Sequence, residues 1–189
     1  NKTAGFDNRG AYEFNGMTSY INTSISIDQS SSSSSGTTMM AWVYTTNTSS
    51  SNRKIYIFST DNGVFDWTLA REGQSWVVWT GTSQINTTFA VDLNKWQHIA
   101  VVFNPRTEKI FFYKNGVETI INELTYDTSD SLLRIGMYTN TQVGNFNGSI
   151  DEVYVFNYSL SPRAIERIYA NSTNLLTADE TSAFKNYTV

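Results

Sequence analysis

The sequence contains no cysteine, only two prolines and one histidine among its 189 residues. The absence of cysteine excludes a disulfide framework, a thiolate zinc site and a cysteine nucleophile. A chain of this length hides roughly 70% of its extended surface on folding, so one large domain can form a core without disulfides. The lack of cysteine therefore does not assign the protein to the inside of a cell.

Charged residues are also scarce, at 16% of the chain, whereas an average soluble domain has about 25%. The net charge is −4 and no basic cluster occurs, which argues against a nucleic-acid partner. No apolar run approaches the roughly 20 residues that cross a bilayer, so we expect no membrane insertion. The chain begins with Asn1 and shows no signal peptide, as expected of a mature or excised fragment.

Aromatic, hydroxyl and amide side chains are abundant instead, and aromatics alone make up 14% of the residues. Asn-x-Ser/Thr triplets, which accept N-linked glycans in secreted proteins, recur along the chain. They begin at Asn1, Asn22, Asn47, Asn86, Asn147, Asn157, Asn171 and Asn186. They predict a glycoprotein that is extracellular or at the cell surface; the alternative is that a chain rich in Ser and Thr produces them by chance.

Short runs rich in β-branched and aromatic residues alternate with polar turns along most of the chain. Such runs suit pleated, half-buried strands, and the lack of helical patterns between them predicts an all-β sandwich or barrel. The clearest hairpin turn is Asn115-Gly116, because Asn-Gly favours the positive φ angles of a type I′ turn. The predicted strands are Ala11–Phe14, Ser19–Asn22, Thr37–Thr46, Lys54–Ser59, Asp66–Arg71, Ser75–Thr80, Ile85–Val91, Trp96–Asn104, Lys109–Lys114, Val117–Ile121, Leu132–Met137 and Ser149–Phe156.

One short helix is predicted near the C-terminus, at about Pro162–Ala170. Ser161 is a good N-cap, proline suits the first helical position, and the apolar residues that follow fall on one face. The polar tail, residues 171–189, is either a linker or a last edge strand. We therefore assign residues 1–170 to one domain.

Several segments resemble, in the same order, the signature of laminin-G-like domains in the concanavalin A-like lectin/glucanase superfamily. They are Gly5–Gly16, Ser19-Tyr20-Ile21, Thr38–Val43, Lys95–Phe103, Phe111–Gly116 and Phe146–Asn157, followed by Leu160-Ser161-Pro162. The resemblance implies a two-sheet antiparallel jelly-roll sandwich with a short helix near the C-terminus. The family usually has a further strand before the glycine turn, beside the strand that holds Asp151, and the sequence from Asn1 onward does not contain it. The tail Thr177–Val189 is a candidate to fill that gap, in cis or from a neighbouring copy.

The resemblance implies a non-catalytic carbohydrate-binding or adhesion module of a secreted or cell-surface protein, with a glycan or an extracellular protein as partner. A second interpretation is a structural subunit of a glycosylated surface layer or filament, a homo-oligomer built by strand exchange.

A third interpretation is a glycosidase, which needs two carboxylates that flank the scissile bond. Asp151 and Glu152 form the most suggestive acidic pair, but neighbouring residues of a strand point to opposite faces. His98 lies in an apolar strand and is predicted to be structural. We therefore predict no enzyme activity.

The resemblance also implies a calcium site at the rim of the sandwich. Calcium takes roughly six to eight oxygen ligands, and the matching positions are Asn15, Asp151 and the carbonyl of Tyr20. The alternative is that Asp151 only accepts backbone N–H bonds from the turn near Gly16, and the sequence does not decide between the two.

Sugar binding needs exposed aromatic faces beside polar groups, because the apolar face of a saccharide stacks on an aromatic ring. Trp76 and Trp79 fall on opposite faces of one strand, so one of the two faces can be an open surface. The candidate ligand-binding residues are Trp67, Trp76, Trp79, Tyr138 and Asn140, with core packing as the alternative for each tryptophan.

Overall fold

The computed structural model describes residues 2–7, 10–27, 35–46, 54–60, 67–80, 83–122, 132–138 and 144–170. Within these residues the strands are β1 (Lys2–Thr3), β2 (Ala11–Asn15), β3 (Ile21–Asn22), β4 (Thr37–Thr45), β5 (Lys54–Ser59), β6 (Trp67–Glu72), β7 (Ser75–Thr80), β8 (Gln84–Ala90), β9 (Trp96–Asn104), β10 (Lys109–Lys114), β11 (Val117–Asn122), β12 (Arg134–Ile135) and β13 (Asn147–Phe156). One helix, α1 (Pro162–Tyr169), follows them. In this part of the chain no helix is long and apolar enough to cross a membrane.

The strands form two antiparallel sheets. Sheet A has the order β1-β2-β13-β4-β9-β10-β11, and sheet B has the order β3-β12-β5-β6-β7-β8. Neighbours in the sheets are often far apart in the sequence, as when β13 lies between β2 and β4. The two sheets pack face to face, and this confirms the predicted all-β jelly-roll sandwich.

The main core lies between the two sheets and is built from alternate residues of their strands. In β4, Met39, Ala41 and Val43 belong to this core, whereas Met40 packs on the opposite face of sheet A. Each large apolar side chain that is fully buried contributes about 1.5–3 kcal/mol, which explains how the sandwich can be stable without disulfides.

The helix α1 covers the outer face of sheet A, as its apolar stripe requires. Ser161 caps it, because its hydroxyl oxygen accepts a hydrogen bond of 3.2 Å from the backbone N–H of Ala164. Ile165 and Ile168 are buried against that face. The predicted helix is therefore confirmed, although it ends at Tyr169, one residue earlier than expected.

The hairpin between β10 and β11 has the predicted turn. Asn115 and Gly116 have φ angles of 51° and 78°, as a type I′ turn requires. The backbone N–H of Asn115 donates to the carbonyl of His98 at 2.9 Å, and its side-chain oxygen accepts from the N–H of His98 at 2.8 Å. The turn is thus attached to β9 as well as to its own hairpin.

Most predicted strands are present with ends that shift by one or two residues. Two of them are much shorter than predicted, since only Ile21–Asn22 and Arg134–Ile135 are extended and paired. Gly136, with a φ angle of 82°, ends the second of these strands. The two-residue strand β1 is not among the predicted ones, and residues 171–189, predicted to be a linker or an edge strand, lie outside the described residues.

Candidate functional site

A cleft on the outer face of sheet B brings aromatic and polar side chains together. We call it the Trp79 cleft, and its volume is about 310 Å³, including space that is open to solvent. Strand alternation explains its position, because Trp76 and Val78 point into the core while Val77 and Trp79 point outward from the same strand. The lining residues are Lys54, Tyr56, Thr68, Val77, Trp79, Gln84 and Tyr138.

Three aromatic rings give the Trp79 cleft its apolar surface. Tyr56 and Tyr138 stack with their ring centroids 4.5 Å apart and their planes 25° apart. Trp79 is partly exposed, and the ammonium group of Lys54 lies 4.9 Å from the centroid of its ring. A ring face that attracts a cation is electron-rich, and such a face also attracts the polarised C–H groups of a sugar.

Polar groups lie along the edge of the cleft at β8. Gln84 is the register partner of Trp79, so the two side chains are neighbours on the outer face. The amide nitrogen of Gln84 donates to a carboxylate oxygen of Glu72 at 2.6 Å and to the side-chain oxygen of Asn86 at 3.2 Å. These bonds hold an amide and a carboxylate where both can bond sugar hydroxyls.

Two of the predicted ligand-binding tryptophans belong to the core instead. Trp67 is 3% exposed and stacks on Phe103, with 4.3 Å between ring centroids. Trp76 is fully buried, and its indole N–H donates to the side-chain oxygen of Gln97 at 3.2 Å. Neither ring can contact a ligand at the surface, so the prediction is wrong for both. Alternation shows which residues share a face, but it does not show which face turns inward.

Trp79 and Tyr138 are the predicted ligand-binding residues that the structure brings together. Lys54 and Tyr56 were not predicted to lie at this site, although they alternate on a predicted strand and therefore share one face. Their position beside Trp79 follows from the pairing order β5-β6-β7, in which strands that are consecutive in the sequence are neighbours in the sheet. Asn140 lies outside the described residues.

The three predicted calcium ligands do not converge on one point. Asn15 is the register partner of Asn147, and Asp151 lies four residues further along β13. At a rise of about 3.3 Å per residue, that separation is about 13 Å. As a set, these residues do not fit a single ion.

Backbone N–H groups already occupy the side-chain oxygens of the two main candidates. The side-chain oxygen of Asn15 accepts hydrogen bonds of 2.8–3.1 Å from three backbone N–H groups in the turn that follows it. The carboxylate of Asp151 accepts one bond of 2.9 Å from the N–H of Phe6 and another of 2.9 Å from the N–H of Glu152. These donors do not include the turn near Gly16, contrary to the alternative predicted from the sequence.

Gly5 allows this close approach, because a Cβ atom there would lie 2.3 Å from a carboxylate oxygen of Asp151. No group of three or more acidic or histidine side chains that could hold a metal occurs among the described residues. Calcium binding therefore stays a prediction without an assembled ligand set in this part of the chain.

A second and larger concave surface, the β13 groove, opens between the sheets. Its volume is about 1340 Å³, including space that is open to solvent. Its lining residues are Tyr12, Ile21, Thr23, Ile25, Leu133, Ile135 and Ile150 to Phe156. β2 pairs only with residues 147–150 of β13, so the edge of β13 at Glu152–Val155 has no strand partner on that side among the described residues.

A bulge in β13 changes the directions of its acidic side chains. The register with β4 shifts between Asp151 and Tyr154, and Glu152 has a φ angle of 48°. Asp151 and Glu152 both line the β13 groove, and the bulge interrupts the strand alternation on which the prediction of opposite faces rests. A carboxylate oxygen of Glu152 accepts a hydrogen bond from the hydroxyl of Tyr154, and burial together with this bond raises the pKa of Tyr154.

His98 is buried on the outer face of sheet A. It is 1% exposed, and its ring lies 5.5 Å from that of Trp42 and 5.9 Å from that of Tyr169. Neither imidazole nitrogen has a hydrogen-bond partner among the residues that the structure describes. Burial lowers the pKa of His98 to about 4, so the ring is neutral at physiological pH and has the structural role predicted for it.

Four of the predicted glycan acceptors belong to the described residues. Asn22, Asn86 and Asn157 are exposed, whereas Asn147 is partly buried beside Gly16. The remaining acceptors lie outside the described residues: Asn1, Asn47, Asn171 and Asn186. Glycosylation of all of them stays a prediction.

A sequence profile described as the concanavalin A-like lectin/glucanases superfamily, in its laminin-G form, matches residues 15–166. The chain belongs to this superfamily. The profile covers the segments from β2 to α1, so it includes both the Trp79 cleft and most of the β13 groove. A search of curated protein sequences found no match.

Solved structures with the same fold include three proteins of different origin. Domain 4 of the extracellular arabinanase AbnA from Geobacillus stearothermophilus, in complex with arabinotriose, has a TM-score of 0.63 at 16% identity and covers 89% of this chain and 80% of that one. The heptameric SAP-like pentraxin of Limulus polyphemus has a TM-score of 0.63 at 13% identity, with 94% and 89% covered. The binding domain of botulinum neurotoxin DC in complex with SialylT has a TM-score of 0.57 at 16% identity, with 75% and 36% covered. At these identities the likeness shows the fold.

Proposed function

We propose that the chain is a non-catalytic carbohydrate-binding module and that it binds glycans at the Trp79 cleft. The observation that carries this proposal is the partly exposed ring of Trp79 beside the stacked pair Tyr56 and Tyr138. Aromatic rings supply the surface on which the apolar face of a sugar stacks, and they lose little conformational entropy on binding.

The polar groups around these rings suit the hydroxyl groups of a sugar. Lys54 offers N–H donors, Thr68 offers a hydroxyl, and Gln84 offers both a donor and an acceptor at the edge of the cleft. A sugar bound to the ring of Trp79 would displace the ammonium group of Lys54, which can then donate to a hydroxyl or a carboxylate of the ligand. We therefore expect neutral and acidic sugars to bind on the open side of this cleft.

The relatives support a glycan as the ligand. Domain 4 of the arabinanase was solved with arabinotriose, and the toxin binding domain was solved with SialylT. Both belong to proteins that act outside the cell in which they are made, as the terms extracellular arabinanase and neurotoxin imply. We propose the same setting for this chain, as an adhesion or targeting module of a secreted or cell-surface glycoprotein.

A glycan array tests this proposal with three proteins: the native chain, Trp79→Ala and Tyr20→Ala. Tyr20 is the matched control, because it is an aromatic residue with 44% exposure near β3, at the opposite edge of sheet B from β8. We expect selective binding by the native chain and by Tyr20→Ala, and binding at least about tenfold weaker by Trp79→Ala. A blank array, or equal binding by all three proteins, would contradict the proposal.

A second candidate function is that of a structural subunit which assembles by strand exchange, and the β13 groove favours it. The edge at Glu152–Val155, which has no strand partner on one side within the described part of the chain, and the apolar lining beside it suit an extended strand donated by a neighbouring copy. Light scattering after gel filtration tests this idea on the native chain and on a chain that lacks Thr177–Val189. Concentration-dependent oligomers that the deletion abolishes are expected, and a monomer at every concentration would contradict it.

A further inference from the structure

One predicted glycan acceptor, Asn86, lies on the same face of sheet B as the Trp79 cleft. The triplet Asn86-Thr87-Thr88 belongs to β8, where Asn86 is exposed and Thr87 is buried. The hydroxyl of Thr87 donates to the backbone carbonyl of Trp76 at 2.9 Å. This inward bond fixes the alternation of β8, so the side chain of Asn86 points outward.

The register of β7 and β8 puts Asn86 at the rim of the cleft. Asn86 is the partner of Val77, and Gln84 is the partner of Trp79. Paired residues have Cβ atoms about 5 Å apart and diagonal neighbours lie about 7–8 Å apart, so Asn86 is within about 8 Å of Trp79. The cleft is lined by Val77, Trp79 and Gln84. Asn86 is the fourth member of these two neighbouring cross-strand pairs on the outer face.

The hydrogen bond between Gln84 and Asn86 leaves the nitrogen that carries a glycan available. Gln84 donates to Oδ1 of Asn86, whereas an N-linked glycan is attached to Nδ2. A transferase supplies the sugar from an activated, diphosphate-linked oligosaccharide: the bond from Nδ2 to C1 of the sugar forms, Nδ2 loses one proton, and the diphosphate leaves. The amide oxygen is unchanged, so Gln84 can orient the modified side chain toward the cleft.

Building on the proposed function, we propose that a glycan on Asn86 covers the Trp79 cleft and competes with free glycans for it. The tethered sugar lies beside the aromatic rings at an effective concentration in the millimolar range or above, whereas a free glycan must reach that concentration in solution. Glycosylation at this one triplet would therefore reduce binding, and the unmodified protein would be the active binder.

The experiment compares three proteins produced in a host that attaches N-linked glycans: the native chain, Thr88→Ala and Ser24→Ala. Thr88→Ala removes the acceptor triplet but leaves Asn86 and its bond from Gln84 intact. Ser24→Ala removes the triplet at Asn22, another exposed acceptor at the far edge of sheet B, and is the matched control. Mass spectrometry gives the occupancy of Asn86, and a glycan array gives the binding.

We expect Asn86 to be occupied in the native chain and Thr88→Ala to bind its preferred glycan at least about tenfold more tightly than the other two proteins. Equal and measurable binding of a glycan by the native chain and by Thr88→Ala would overturn the inference, and so would an Asn86 that carries no glycan. Removal of the glycan with a glycosidase should convert the native chain to the behaviour of Thr88→Ala.

A second readout separates this inference from the proposed function. The indole N–H resonance of Trp79, assigned with Trp79→Phe, reports the environment of the cleft without any added ligand. We expect this resonance to differ between the native chain and Thr88→Ala, but not between the native chain and Ser24→Ala. If no protein binds a glycan on the array and the resonance still differs, the proposed function fails while the covering of the cleft stands. An unchanged resonance with Asn86 occupied overturns the inference.

Discussion

At the scale of the residue, Trp76 and Trp79 illustrate how one strand separates core from surface. They are three positions apart, so they lie on opposite faces of β7, and this part of the geometry follows from the sequence. Which face turns inward depends on the partner sheet. The indole N–H of Trp76 donates a hydrogen bond to Gln97 in the interior, whereas the ammonium group of Lys54 lies over the ring of Trp79. The sequence offers no signal for that choice.

His98 gives the first prediction, because burial lowers its pKa to about 4 from an ordinary value of 6.5. The folded protein resists protonation of this ring, whereas the unfolded chain accepts a proton below about pH 6.5. The free energy of unfolding therefore keeps its full value above pH 6.5. It falls by about 3 kcal/mol as the pH falls through the window from 6.5 to 4.

Urea unfolding at pH 7 and pH 5 measures this effect in the native chain and in His98→Phe, which keeps an apolar ring without a titrating group. We expect the free energy of unfolding to fall more in the native chain than in the variant. The same fall in both proteins would show that other groups, such as carboxylates, account for the pH dependence.

Two glycines with positive φ angles give a second prediction. A Cβ atom on Gly148 would lie 2.0 Å from the backbone carbonyl oxygen of Tyr44, whereas a Cβ atom on Gly73 would have nothing within 4 Å. We expect Gly148→Ala to lower the free energy of unfolding by about 2–4 kcal/mol and Gly73→Ala by about 1 kcal/mol, the cost of the backbone conformation alone. Chemical denaturation of the two variants measures the difference, and equal losses would contradict the close contact at Gly148.

At the scale of the element, β13 is the best-predicted segment of the chain, but its local backbone geometry is the least predictable. Its residues resemble the family signature, and the strand forms where expected. The bulge between Asp151 and Tyr154 was not predictable, because it depends on how β4 and the bond from Phe6 to Asp151 fit together. Asp151 and Glu152 lie at this bulge, and both line the β13 groove.

The turns at the two ends of β2 give a third prediction, which concerns calcium. The side chain of Asn15 accepts a hydrogen bond from one turn, and the side chain of Asp151 accepts one from the other. The two residues are about 13 Å apart, so the ligands implied by the family resemblance are not assembled. We expect the melting temperature of the chain to be the same in calcium and in a chelator. A higher melting temperature in calcium would contradict this expectation and point to ligands beyond the described residues.

At the scale of the whole molecule, local patterns predicted the strands, the helix and the sandwich, since each depends on neighbours in the sequence. The position of the Trp79 cleft was only partly predictable. Trp79 and Tyr138 were among the candidate ligand-binding residues, with core packing as the alternative for Trp79, whereas Tyr56, which lines the same cleft, was not predicted. The pairing of β12, which precedes Tyr138 in the chain, with β5 joins segments that are far apart in the sequence, and one sequence does not specify such a pairing.

Glycan binding at the Trp79 cleft is tested by an NMR titration of the chain with arabinotriose and with the oligosaccharide that binds best on the array. The chain has five tryptophans, so five indole N–H resonances can be followed. We predict that the resonance of Trp79 and the side-chain amide of Gln84 shift most, while the buried indoles of Trp67 and Trp76 stay in place. Shifts confined to Val153 and Val155 would instead identify the β13 groove as the binding site and contradict the assignment of glycan binding to the Trp79 cleft.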